Sequence, residues 1–230
     1  MTLIGIDGCR GGWLCVCDTH GEVDAIIAPS LAHVLEACTP DIVVIDMPIG
    51  LSASGPRACD TLARRALAPT RASSLFPAPV RGALGHPTYE ATCAAHRAID
   101  GRAISKQAWF ILPKIAEVDA VLQQHPRWRD VLHEGHPELS FATWNGGEPM
   151  THAKKTNEGR VERRALIDAR WPGVVDRLAS TLPRGAWAPD DLLDAVAVLW
   201  TAHRLARGEA VVRPDPPARD ATGLRMSITA

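Results

Sequence analysis

Residues 41–46, Asp-Ile-Val-Val-Ile-Asp, form a short continuous apolar run that stops sharply at Met47-Pro48-Ile49-Gly50. A run without alternation is the pattern of a strand buried on both faces, in the middle of a sheet. Upstream, TLIGIDGC and GGWLCVCDT read as two strands and VDAIIA as a third, with Thr19-His20-Gly21-Glu22 as the turn between the latter two. Ser30 is placed to cap a short helix, LAHVLEACT, which ends before Pro40. The first fifty residues therefore read β-β-β-α-β. A helical crossover makes the fourth strand parallel to its partner, and the natural partner is the first strand, joined in the right-handed sense. This predicts Asp7, near the end of the first strand, roughly 5 Å from Asp46 at the end of the fourth, the spacing of paired strands. Both would lie off the carboxyl ends of the strands, where open α/β sheets bind ligands.

The middle of the chain is mostly helical. PRACDTLARRAL, TYEATCAAHRAI and the stretch from Ser105 to about Gln124 show helical periodicity, and Pro113 is expected to open a new helix or kink the old one. Between the first two lies RASSLFPAPVRG, a proline-rich loop too long and too apolar for an idle connector. VLHEGHPELSF reads as a fifth strand entering a turn, WNGGEPMTHAKKTNEGR as a polar loop, and VERRALIDARW as the start of another helix. The helix in WAPDDLLDAVAVLWTAHRLARG follows, closed by Gly208, and a proline-rich tail leads to one last short strand in GLRMSIT. At 230 residues and 46% hydrophobic, the chain can bury a sizeable core. A single domain, 1–230, with a helical insertion at about 52–128, is the economical organisation.

A formal charge of −1 argues against a tight non-specific DNA binder, because neutralising phosphates supplies most of such affinity. No apolar run approaches the roughly 18–20 residues of a membrane span, and MTLIGIDGC lacks the pattern of a signal peptide. The six cysteines show no C-x-x-C pair and no zinc spacing. Reduced thiols, with Cys15 and Cys17 sharing a strand face, and a cytoplasmic location are expected.

One carboxylate sits on an apolar helix face. Asp194 has Ala197 and Val198 one turn below it and Asp191 one turn above. A buried carboxylate costs several kcal/mol unless it is protonated, paired or bound to a cation. Asp190 and Asp191 fall in the first helical turn, where acids cap free N–H groups, but Asp194 lies too deep for that role. Asp7, Asp46, Asp191 and Asp194 thus form a candidate cage for a hard divalent cation, Mg²⁺ or Mn²⁺. Taken singly, Asp7 and Asp46 are equally well read as turn residues.

The blocks GIDGCRGGW, DIVVIDMPIGL, RACDTLAR, SLFPAPVR, SKQAWFILPKIAEVD, HPELSF, KKTNEGR, DDLLDAVAVLWTA and GLRM occur in that order over nearly the whole chain. Together they resemble a family of mostly uncharacterised bacterial and archaeal proteins described as predicted RNase H-like nucleases. The resemblance implies an α/β, RNase H-like fold: a mixed five-stranded sheet in the order 3-2-1-4-5, flanked by helices. The Asp191-Leu-Leu-Asp194-Ala run is also similar to the terminal helix of RuvC-type Holliday-junction resolvases, where two acids three apart complete a site begun on the first and fourth strands. By that resemblance Asp7, Asp46, Asp191 and Asp194 are the catalytic and metal-binding acids, with aspartate at 46 replacing the resolvase glutamate.

Further candidates surround them. Glu138 in the HPELSF block is a possible fifth ligand and His136 a proton shuttle, unless both belong to a turn. Lys154 and Lys155, with Thr156 and Arg160, either grip a phosphate or form a solvated basic loop. Arg71, Ser73, Ser74 and Arg81, flanking SLFPAP, are expected to line a substrate pocket with Lys106, Gln107 and Trp109, the tryptophan stacking on a base. Of the seven tryptophans, only Trp109 and Trp13 lie near such motifs. The leading expectation is a metal-dependent nuclease or phosphodiesterase acting on a nucleic acid or nucleotide, small or single-stranded. Two others stand beside it: a phosphotransferase of the actin or sugar-kinase type, using the Asp7–Gly12 turn, and a non-enzymatic metal-stabilised module binding a nucleotide or protein. Paired exposed helices would permit a homodimer.

Overall fold

The computed structural model describes residues 1–230. β1 (Thr2–Cys9), β2 (Gly12–Thr19) and β3 (Glu22–Ala28) form an antiparallel meander. The helix α1 (Leu31–Cys38), capped by the Ser30 hydroxyl accepting from the His33 N–H, crosses to β4 (Ile42–Ile45), which pairs parallel with β1. β5 (Leu132–Glu134) adds in parallel to β4, giving the order β3-β2-β1-β4-β5 of an RNase H-like sheet.

Strand parity decides which side chains share a face. On β1, Ile4 and Ile6 pack with Leu31, Val34 and Leu35 of α1 and with Ile115 and Val118 of the insertion. Leu3, on the opposite face, packs in a second core with Val44 of β4 and with Ala195, Val198 and Leu199. Those last three belong to α8 (Pro189–Ala206), which lies across β1 and β4. Asp7 has the parity of Leu3, and Asp46 the parity of Val44, so both acids are directed toward α8. Burying each such aliphatic side chain contributes about 1.5–3 kcal/mol, so this inter-layer packing holds the sheet and helix at a fixed distance.

Gly5 sets that distance. A Cβ there would stand 2.2 Å from the Ala195 carbonyl oxygen and 2.3 Å from the Leu199 nitrogen. Only glycine lets the α8 backbone rest directly on β1.

Between β4 and β5 the chain forms α2 (Ala58–Ala66), α3 (Tyr89–Asp100) and α4 (Lys106–Gln124). Pro113 lies inside α4, which continues through it as one helix rather than restarting. After β5, the expected turn is a helix, α5 (Pro137–Trp144), with Pro137 and Glu138 in its first turn, where a missing N–H and a negative charge are both tolerated. α6 (Asn157–Arg170) and α7 (Val174–Thr181) precede α8. The proline-rich tail is a strand, β6 (Val212–Arg219), paired antiparallel with β7 (Arg225–Thr229). Three prolines fit there because a strand with only one partner needs few of its N–H groups. No helix is long and apolar enough to cross a membrane.

Candidate metal centre

The last parallel pair of β1 and β4 is Ile6 with Ile45, and the Asp46 N–H donates to the Ile6 carbonyl at 2.8 Å. Asp7 and Asp46 therefore leave adjacent strands at the same level. Asp194, next to the Ala195 that rests on Gly5, comes down on them from α8. One carboxylate oxygen from each of Asp7, Asp46 and Asp194 lies within 4.8 Å of the others.

Bringing three carboxylates together out of water is unfavourable, and their acidities show it. Burial, then Asp46 and Asp194, pushes Asp7 well above the usual carboxylate range. Burial likewise raises Asp46 and Asp194 to about 6 each, although Lys154 opposes it. The Lys154 Nζ lies 2.5 Å from Asp194 Oδ2 and 3.8 Å from Asp190 Oδ2. Burial alone would lower the pKa of this ammonium, but Asp194, Asp46 and Asp7 reverse the effect and keep it charged. Asp194 Oδ1 is buried with no hydrogen-bond partner at all.

These residues fit a hard divalent cation. Every donor is a carboxylate oxygen, the set Mg²⁺ and Mn²⁺ prefer, and the orphaned oxygen of Asp194 lacks a ligand that the protein does not supply. The acids open onto a cavity of about 460 Å³ whose wall includes Ser74, Phe76, Phe110, His136 and Lys155.

The other expected site residues divide. Asp191 is not in the triad: its Oδ2 accepts the Ala188 N–H at 2.8 Å, because the third position of α8 faces the unsatisfied donors of its own N-terminus. Glu138 lines the cavity outside the triad. Its Oε1 accepts from Arg163 Nη2 at 2.6 Å, while Oε2 is buried without a partner. Arg71 reaches the cavity but donates to the carbonyls of Met150 and Thr151. Arg81 does not line it; its guanidinium bridges Asp119 and Asp220 at 2.8 and 2.5 Å, an arrangement that ties the insertion to the tail. Trp109 packs edge-on against Tyr89 at 6.1 Å between ring centres, and the residue beside it, Phe110, is the exposed ring on the cavity wall. Trp13 is wholly buried, donating to Glu117 at 3.0 Å. Gln107 lines the cavity, but Lys106 does not, and Thr156 caps α6. His136 has a buried, unpartnered Nδ1 facing this region, and burial pushes the pKa of its ring below the ordinary imidazole value.

The Asp7–Gly12 segment closes the β1–β2 hairpin. Cys9 and Gly12 are a paired rung of the β1–β2 hairpin, and the Gly11 N–H donates to the Ala186 carbonyl at 2.7 Å.

Arg57, passed over in the sequence, is buried at the cavity's edge. It donates to Asp60 at 2.5 Å, to Glu134 at 2.7 and 2.8 Å, and to the carbonyls of Ile49 and Gly50. It thereby fixes the chain that follows Asp46. Its signal was the RACDTLAR block, where an arginine stands three residues before an aspartate at the start of a helix.

No curated protein and no solved structure gives a match to the chain. A family model does, over residues 5–219. That span takes in both strand acids, the insertion and the whole of α8, and the chain belongs to the family described as "Protein of unknown function (DUF429)".

Proposed function

We propose that the protein is a divalent-metal-dependent phosphodiesterase, an RNase H-like nuclease acting on a nucleic acid or nucleotide, with Asp7, Asp46 and Asp194 holding Mg²⁺ or Mn²⁺. The observation that carries this is the buried triad, three acids from three remote segments with oxygens within 4.8 Å and too little positive charge to balance them. A bound divalent ion supplies Lewis acidity, making a water more acidic and drawing charge from the phosphoryl group. The residues do the rest: the triad fixes the ion's place, Lys154 offsets part of the triad's negative charge, and Ser74 and Lys155 offer polar groups to phosphate oxygens. Hydrolysis joins the water oxygen to phosphorus, breaks the ester P–O bond, and leaves a phosphomonoester and an alcohol.

The cavity favours an unpaired base. Of the three phenylalanines in the chain, Phe141 is buried, whereas Phe76 and Phe110 are 45% and 74% exposed and both line the cavity. Exposed rings beside a phosphate site are stacking platforms for single strands or free nucleotides.

The test is cleavage of short labelled DNA and RNA, and of mononucleotide diesters, with Mg²⁺, Mn²⁺ or chelator. Asp7→Asn and Asp194→Asn are each expected to abolish metal-dependent cleavage while the protein stays folded. Full activity in either variant would refute the assignment.

A further inference from the structure

Lys154 is held in place with unusual care for a loop residue. The segment joining α5 to α6 has no regular structure, yet its backbone is secured group by group. Arg71 donates to the carbonyls of Met150 and Thr151. Glu162 accepts the N–H groups of Thr151 and His152 at 2.7 and 3.0 Å. Arg163, fully buried and tied to Glu138, donates to the His152 carbonyl at 3.1 Å. Thr156 donates through N–H and hydroxyl to the Ala153 carbonyl at 2.9 and 3.0 Å. A Cβ on Gly159 would stand 2.0 Å from that same oxygen, so the first turn of α6 is pressed directly against the residue before Lys154. Such anchoring delivers one ammonium to one position.

That position is beside Asp194, within 2.5 Å of Oδ2, while Oδ1 stays unpartnered. Arg57 and Lys114, also at the cavity, have their own partners. Arg57 is occupied by Asp60 and Glu134, and Lys114 donates to the Gly12 carbonyl at 2.5 Å and lies over the Trp13 ring. Three ionised aspartates and one ammonium leave two negative charges in a largely buried place. One divalent ion neutralises them; a second would leave an excess of two positive charges there, which burial makes costly.

We infer that Lys154 stands where a second cation would, so that this centre loads a single divalent ion and presents a fixed ammonium to the phosphate beside it. The inference rests on the proposed metal-binding reading of the triad and specifies its stoichiometry.

Equilibrium dialysis of the full chain against Mn²⁺, with free ion read by electron paramagnetic resonance, tests it without any substrate. The wild-type chain is expected to bind one ion, Lys154→Arg one, and Lys154→Met two, with circular dichroism confirming that each variant is folded. Two ions in the wild-type centre would overturn the inference and leave the triad reading intact. One or none in Lys154→Met would also overturn it, since the lysine would then not be what excludes the second ion. No ion in the wild type would defeat the triad reading itself, and the inference with it.

Discussion

Replacing Asp46 with asparagine removes one charge from the triad while keeping its shape. The effects acting on this carboxyl are burial and neighbouring charge, with no hydrogen bond among them, so the substitution leaves no donor unpaired. Burial raises its pKa from an ordinary 3.8 to about 6. In metal-free protein between pH 4 and 6, the folded chain therefore keeps a proton that the unfolded chain has released. Stability contributed by this group falls as pH rises through that window, and above it the penalty is complete. A displacement of roughly two pH units corresponds to about 3 kcal/mol. Asp46→Asn in chelator is thus expected to be more stable than wild type at pH 8 by about 3 kcal/mol, raising Tm by roughly 6–12 °C for a chain of this size. At pH 4 the gain is expected to vanish, because the wild-type carboxyl is then neutral too. Glu134, which burial raises to about 7, and His133, which burial lowers to about 4, are common to both proteins and cancel in the difference, whereas Asp7 and Asp194 lose the Asp46 charge that raises them, which acts in the same direction at pH 8. Mn²⁺ is expected to raise the wild-type Tm and leave the variant nearly unmoved. Thermal denaturation by circular dichroism, with and without chelator across this pH range, makes the comparison. A variant no more stable than wild type at pH 8 in chelator, or equally stabilised at pH 4 and pH 8, would refute the reasoning.

Three further outcomes follow from the geometry. Gly5→Ala sets a methyl against the Ala195 carbonyl and is expected to cost about 3 kcal/mol in urea denaturation. Because it lifts α8 from β1, it is also expected to weaken Mn²⁺ binding, whereas an intact affinity would show that Gly5 does not position Asp194. Phe110→Ala is expected to weaken binding of a single-stranded oligonucleotide by about 1–3 kcal/mol, measured by fluorescence anisotropy. An abasic oligonucleotide serves as control, and an equal loss for both would exclude base stacking. Arg57→Met strands Glu134 and Asp60 without their partner and is expected to cost about 3–5 kcal/mol. The loss is expected to be larger at pH 8 than at pH 5, where Glu134 takes up a proton; a loss independent of pH would contradict the role given to Arg57.

The fold and two of its acids were legible because both rest on short-range rules. A buried apolar run and a helical crossover set β1 beside β4, and parity then turned Asp7 and Asp46 to one face. Asp194 was legible because capping could not explain an acid that deep on an apolar face. Asp191 was harder to place because its residue type serves two ends, metal binding and helix capping, and one of its oxygens accepts the Ala188 N–H. Trp109 and Phe110 differ by one helical step, about 100°, and local pattern does not fix which of them the insertion turns to the cavity. Prolines hid β6, since strand propensity takes no account of an edge that needs few donors. Gly5 carried a usable signal, a glycine inside an apolar strand, that points to close backbone approach.

The most direct measurement is diffraction from crystals soaked in Mn²⁺, with anomalous density mapped around the acids. The account predicts one peak, shared by Asp7, Asp46 and Asp194, with Lys154 still beside it. Crystals that take up no ion there, and leave Asp194 paired only with Lys154, would contradict it.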